Sequence, residues 1–303
     1  MNLIEIPEKN ISVNFPSQID ELNQNQFILF VELLLDCIAG KISLQDFKYR
    51  LTVSFLNIKM DRKYFRLSKE DQENVLGEVY RLSDLIDSFF DEEQREGRPV
   101  KVFKLDFIHN FIPKLCGNLY GPADALTDIT FCEYRIAHQY FNAYLKSTDE
   151  NDLNHLIAVL YRPKKRFLSI LRHLPGYDGQ MRVPFSSKSN PLFLEKRVRK
   201  ISNLPFPVRY GIYLFFSGCE DFLAKGVPEV DGIPIDLSVL YEKGQGSDNS
   251  QGTGLYGVLC TLAESKVFGS MMETDTQNLY DILLRLFQVV TQMKKTQKPD
   301  GTY

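Results

Sequence analysis

Apolar residues recur at helical spacing along much of the chain. Phe27, Phe30, Val31, Leu34 and Ile38 share one stripe between Asn23 and Ala39, and Gly40 follows as a stop. Asn23 with Gln26 has the form of a capping box. A second helix follows Ser43, with Leu44, Phe47, Leu51 and Phe55 on one side. A third opens at Ser68 and carries Val75, Val79, Leu82, Ile86 and Phe89. Three amphipathic helices with short connections predict a small bundle over residues 23–95. Ahead of it, residues 1–22 read as an extended arm. Ile11-Ser-Val-Asn-Phe15 alternates apolar and polar residues at period two between Pro7 and Pro16. Ile11, Val13 and Phe15 are therefore candidates for adding a strand to the sheet edge of a neighbouring chain.

Residues 96–303 predict a larger helical domain with non-helical insertions. The charged stretch Asp91–Arg98 reads as a linker or exposed turn before Pro99. Residues 100–125 are β-like or irregular, broken by Pro113, Gly117, Gly121 and Pro122. Helix resumes near Thr130, which with Glu133 repeats the capping-box pattern, and Tyr134, Ala137, Phe141 and Leu145 fall on one face. A further helix with Leu153, Leu156, Ile157 and Leu160 stops at Arg162-Pro163. A short helix starts at Asn190-Pro191, a good N-cap followed by a good first-turn residue. The helix after Pro207 is apolar nearly all round, which predicts burial in a core or an interface. Residues 227–254 read as extended or loop, with the small polar run 244–254 as a mobile surface loop. Two helices close the chain, one with Leu255, Val258, Leu259 and Leu262, the other with Leu279, Ile282, Leu283, Leu286, Val290 and Met293. The expected class is mostly α: a helical bundle with minor β or irregular insertions and an extended N-terminal arm.

Composition changes this picture in one respect. The 303 residues are 44% hydrophobic and 25% charged, ordinary globular values. No apolar run is long enough to span a bilayer, and the N-terminus lacks the basic region and cleavage site of a secretory signal. The net charge of −3 is unevenly spread. Residues 162–209 hold twelve Lys/Arg against two Asp/Glu, a surplus of +10, so the rest of the chain carries −13.

The chemistry of catalysis is missing from the pattern. The five cysteines (Cys37, Cys116, Cys132, Cys219, Cys260) are far apart and follow no zinc spacing, so packed, reduced thiols are expected. The four histidines (His109, His138, His155, His173) sit beside no nucleophile motif, and HExxH, EF-hand and P-loop signatures are absent. Gly244-Gln-Gly246 and Gly252-Thr-Gly254 lack the Lys that a phosphate cradle uses. The expectation is a protein that is not an enzyme and takes no cofactor, metal or small-molecule substrate. The basic segment is the candidate contact surface. Lys164, Lys165 and Arg166 follow a helix end, while Lys196, Arg197, Arg199 and Lys200 share one short helix. Phe167, Tyr177, Phe185, Phe193 and Phe206 are interleaved with them. The first reading is contact with acidic patches on a second copy or another protein; the second is non-specific DNA contact.

Three stretches carry a resemblance. They are Glu21-Leu-Asn-Gln-Asn-Gln-Phe27, Leu126-Thr-Asp-Ile-Thr-Phe131 through to Leu160-Tyr-Arg-Pro163, and Gly254-Leu-Tyr-Gly-Val-Leu259 with Ala263-Glu264 and Val267-Phe-Gly269. In these the chain resembles structural proteins of crAss-like bacteriophages that infect Bacteroidetes. The resemblance implies a virion structural protein made in the host bacterial cytoplasm. It implies a portal-proximal ring protein in the head–tail connector or tail, with itself, the portal and neighbouring tail proteins as partners. It supplies no catalytic residue to carry over. An alternative within the same setting is a tail-assembly or nucleic-acid-associated accessory protein using the basic 162–209 segment.

Overall fold

A computed structural model describes residues 2–6, 11–58, 64–95, 97–115, 117–175, 180–185, 191–227, 229–230, 233–236 and 254–297. The fold is mostly α, with small sheets of two or three strands. Two compact units divide the chain: residues 1–107 with 205–211, and residues 108–204 with 212–303.

The first unit opens with an antiparallel hairpin, β1 (Asn2–Ile6) and β2 (Ile11–Phe15), in which Ile4 faces Val13. The expected extended segment is thus already paired within its own chain. Phe15, at the end of β2, is fully buried and meets the Phe55 ring edge-on at 5.5 Å. Helix α1 (Gln24–Ile38) starts where the sequence places it. Asn23 Oδ1 accepts from Gln26 N at 3.0 Å, and Gln26 Oε1 accepts from Asn23 N at 3.0 Å. Ser43 and Asp46 make the same reciprocal cap on α2 (Leu44–Phe55), and Ser68 caps α3 (Lys69–Leu82). A 3-10 segment, Ser83–Phe89, continues from α3.

The core of this unit is aromatic. Phe30 is fully buried, with Phe27, Phe47, Phe89 and Phe103 all within 6.4 Å between ring centroids. Most of these pairs are edge-to-face, which places ring edges on ring faces and adds to the benefit of burial. The stripe assigned to α3 is only partly inside: Val79, Ile86 and Phe89 are buried, whereas Val75 and Leu82 are half-buried.

The stretch read as a linker is instead a hairpin. Strands β3 (Phe90–Arg95) and β4 (Arg98–Phe103) pair antiparallel, turning at Gly97 with φ +75. Their outer parts are exposed, so no apolar alternation marks them in the sequence. What replaces it is an aromatic base, Phe90 against Phe103 at 4.7 Å, and charge complementarity, with Glu92 opposite Lys101.

In the second unit, α4 (Phe131–Ser147) and α5 (Glu150–Leu160) form a helical hairpin through Thr148, which takes a left-handed conformation. Leu153 and Leu156–Leu160 are all buried, so α5 is the central helix of the unit. A three-stranded sheet of β5 (Lys114–Leu115), β6 (Leu119–Tyr120) and β7 (Arg162–Pro163) follows the order β5-β6-β7. The short α6 (Leu168–Leu171) has no counterpart in the sequence pattern. Helix α7 (Pro191–Ile201) begins at the expected proline, while Asn190 lies outside the described residues.

Helix α8 (Phe206–Lys225) buries Ile212, Leu214, Phe215, Phe216 and Cys219, so the all-round apolar helix is core. β8 (Glu229–Val230) and β9 (Ile233–Pro234) make a small hairpin within the segment expected to be extended. Most of the 244–254 loop lies outside the described residues; Gly254 opens α9 (Gly254–Glu264). After the short α10 (Met271–Asp275) comes α11 (Leu279–Gln297). The N-terminal end of α11 is tied to that of α4: Leu279 N donates to Ile129 O, Phe131 N to Gln277 O, and the Tyr280 hydroxyl to Ala125 O. Among the described residues, no helix is long and apolar enough to cross a membrane.

Candidate partner-binding surface

The groove beside α7 has a floor of β-structure and a helical wall. Pro163 of β7 accepts a hydrogen bond from Val183 N, and Lys165 N donates to Met181 O, so residues 181–183 extend the small sheet. On this floor Leu119, Pro163, Val183 and Pro184 face Phe193, Leu194, Lys196, Arg197 and Lys200 of α7 across a volume of about 510 Å³. A second hollow of about 240 Å³, lined by Leu115, Ile201, Asn203 and Leu204, shares Gly117, Leu119 and Lys200 with the first. The two make one groove with an apolar floor and a cationic wall.

The sequence candidates separate accordingly. Lys196, Arg197 and Lys200 line the groove, and Arg199 is exposed on the same helix without lining it. Lys196 Nζ lies 5.9 Å from the Phe193 ring centroid. Burial pulls the Arg197 guanidinium below its usual value, and its buried Nε has no hydrogen-bond partner among the described residues. Lys164 lies next to Pro163, with its ammonium 4.3 Å from the centroid of the Tyr120 ring, while Arg166 is exposed. Of the arm residues, Phe15 is buried in the first unit, Val13 is half-buried, and the Ile11 side chain lies outside the described residues.

Three cations of the basic segment, Arg162, Arg182 and Arg209, are not surface groups at all. Arg162 and Arg182 are buried with Glu133 of α4. Glu133 Oε1 lies 2.6 Å from Arg162 Nη2, and Glu133 Oε2 lies 3.5 Å from Arg182 Nη2. Arg182 also donates to Leu160 O at 2.7 Å and to Asp128 Oδ1 at 3.0 Å. The expected capping box at Thr130 is therefore only half made. Thr130 Oγ1 accepts from Glu133 N, but the Glu133 carboxylate turns inward to the arginines. No local pattern announces this, because its partners lie 29 and 49 residues further along the chain.

The titratable groups elsewhere form pairs that link elements. His138 Nδ1 lies 2.9 Å from Glu220 Oε2, joining α4 to α8, and His155 Nε2 lies 3.3 Å from Glu195 Oε1, joining α5 to α7. His109 Nδ1 is 2.9 Å from Asp124 Oδ2. Cys132 and Cys219 are buried, and burial pushes the Cys219 thiol up. Among the described residues, no cluster of three or more His, Cys, Asp or Glu could hold a metal ion. The groove beside α7 therefore stands as the candidate contact surface of a mostly helical fold. No protein-family model matches the chain, and no curated protein or solved structure matches it either.

Proposed function

We propose that this chain is a bacteriophage virion structural protein, a homo-oligomeric ring of the head–tail connector or tail that joins portal and tail components around the DNA channel. The observation that carries the reading is the coincidence of exposed apolar and exposed cationic residues in the basic segment. Leu192 and Phe193 are 67% and 62% exposed at the head of α7, and Phe167 is 73% exposed at the start of α6. Phe193 lines the groove, and large apolar side chains exposed there are costly to leave in water and mark a surface suited to cover by another macromolecule. The acidic remainder of the chain offers such a surface the opposite charge. The resemblance of the three sequence stretches to phage structural proteins supplies the setting, and a ring requires contacts between two different faces of the same chain.

Mass photometry of the purified chain, alone and mixed with a portal protein, tests the reading. Ring-sized masses or a joint complex are expected. A chain that is monomeric throughout and binds no portal overturns it.

The exposed Lys196, Arg199 and Lys200 also favour a second reading, an accessory protein that touches the DNA backbone. It requires DNA binding that weakens steeply with salt and is lost when Lys196, Arg197, Arg199 and Lys200 are neutralised.

A further inference from the structure

The turn that carries α6 gathers apolar and cationic side chains on the outside of the second unit. Ile170 N and Leu171 N donate to Phe167 O, Arg172 N to Leu168 O and Leu174 N to Leu171 O. These bonds wind residues 167–174 into about two helical turns. Leu168 and Leu171 are half-buried on the inner side. Phe167, Ile170 and Leu174 are left outward, 73%, 61% and 52% exposed, and their spacing of three and four residues puts them on one face. None of the three lines the groove beside α7.

The charge around this face has a single sign. No Asp or Glu stands between Asp152 and Asp178, while Lys164, Lys165 and Arg166 precede the turn and Arg172 lies within it. Arg166 and Arg172 are exposed and have no ion-pair partner among the described residues. Phe167 adds a second observation. Its backbone sits at φ +58, in the left-handed region where glycine is at ease and a bulky residue is not. An exposed ring on such a backbone does nothing for the isolated fold.

We propose that this face docks on the anionic surface of a lipid bilayer. Phe167, Ile170 and Leu174 enter the boundary between headgroups and acyl chains, and Lys164, Arg166 and Arg172 meet the lipid phosphates around them. Side chains that stand this far out need a partner that flows around them, and a bilayer does so without a matching pocket. The phosphate backbone of DNA would engage the cations but give Ile170 and Leu174 nothing apolar to enter. Among the described residues no helix is long and apolar enough to cross the bilayer, so the contact is interfacial. The inference stands apart from the ring reading, since a single chain carries the whole patch; a ring would multiply it.

The test is cosedimentation of the full chain with vesicles of phosphatidylcholine alone and of an equal mixture with phosphatidylglycerol. Binding to the mixed vesicles is expected, with affinity about tenfold lower for phosphatidylcholine alone. Arg166→Gln with Arg172→Gln should weaken it about tenfold, and Phe167→Gly with Ile170→Ser by as much or more. Glycine suits the backbone at 167, and circular dichroism confirms that both variants fold. The chain has no tryptophan, so Phe167→Trp provides a single reporter. Its emission should shift to the blue on mixed vesicles, while that of Phe65→Trp, exposed in the first unit, should not. Failure to bind mixed vesicles, equal binding to both kinds, or binding that survives loss of Phe167 and Ile170 overturns the proposal. So does a blue shift at Phe167→Trp no larger than that at Phe65→Trp in bound protein.

Discussion

Glu133 Oε1 lies 2.6 Å from Arg162 Nη2, and both side chains are 1% exposed. Burial, the largest influence on either group, pushes the Glu133 carboxyl up and pulls the Arg162 guanidinium down to about 10. Each charged form is therefore disfavoured by desolvation even beside its opposite. The pair fixes geometry more than it adds stability. Replacing Glu133 by Gln leaves two buried guanidiniums short of a carboxylate. The expected loss is about 3–5 kcal/mol of unfolding free energy, read from the urea midpoint. The double replacement Glu133→Leu with Arg162→Met should lose less than Glu133→Gln alone, and a larger loss would contradict this account.

Asp87 stands between the buried Lys48 and Lys101, 2.8 Å from the latter. Burial alone would raise its carboxyl, but hydrogen bonds from Lys101 and Lys48 outweigh this and leave it below the usual carboxylate range. A depressed folded-state value means that the unfolded chain takes up the proton first as pH falls. The stabilisation is then fully present above the unfolded value of about 4 and is lost as pH drops through the window below it. Thermal unfolding across that window should show a steeper loss for the wild type than for Asp87→Asn. Parallel curves for the two would remove Asp87 from the acid response.

Gly77→Ala isolates helix propensity in α3. With open space around the new methyl, the replacement should stabilise the chain by about 1 kcal/mol. A urea midpoint that stays the same or falls would show that the helix does not take the methyl freely.

Gly121, by contrast, has no room for a side chain. A Cβ there would lie 2.6 Å from the Tyr161 ring and 2.8 Å from Asn110 Nδ2. Tyr161 is fully buried, with its hydroxyl donating to Ile112 O at 2.7 Å and lying 3.2 Å from Asn110 Oδ1. Gly121→Ala should cost about 1–3 kcal/mol by overpacking this knot. Tyr161→Phe should cost about 1–3 kcal/mol, since it strips the buried Ile112 carbonyl of a donor. Chemical denaturation that finds Gly121→Ala neutral would mean the ring can move aside.

Local chemistry made much of the fold legible. Asn23 with Gln26 and the serines at 43 and 68 fix helix starts through bonds that span three residues, so short patterns reveal them. Pro191 and the α5 stripe were readable on the same terms. The β3–β4 hairpin was not, because its stability comes from Phe90 against Phe103 and from charges facing each other across strands. The basic segment was visible as a surplus, but its division was hidden. Arg162 and Arg182 point inward to Glu133 while Lys196 and Lys200 line the groove, and only the tertiary fold sorts one set from the other.

The floor of the groove is held from beneath. Arg182 ties residues 181–183 to Leu160 and Asp128, and Val183 in turn is bonded to Pro163, so the apolar shelf is fixed before any partner arrives. A preorganised shelf surrenders little conformational entropy on binding, so contacts made there by the proposed partner would go to lengthening its residence time. Loosening the arginine anchor should therefore hasten dissociation while leaving the rate of encounter, set by the outer lysines, almost as it was.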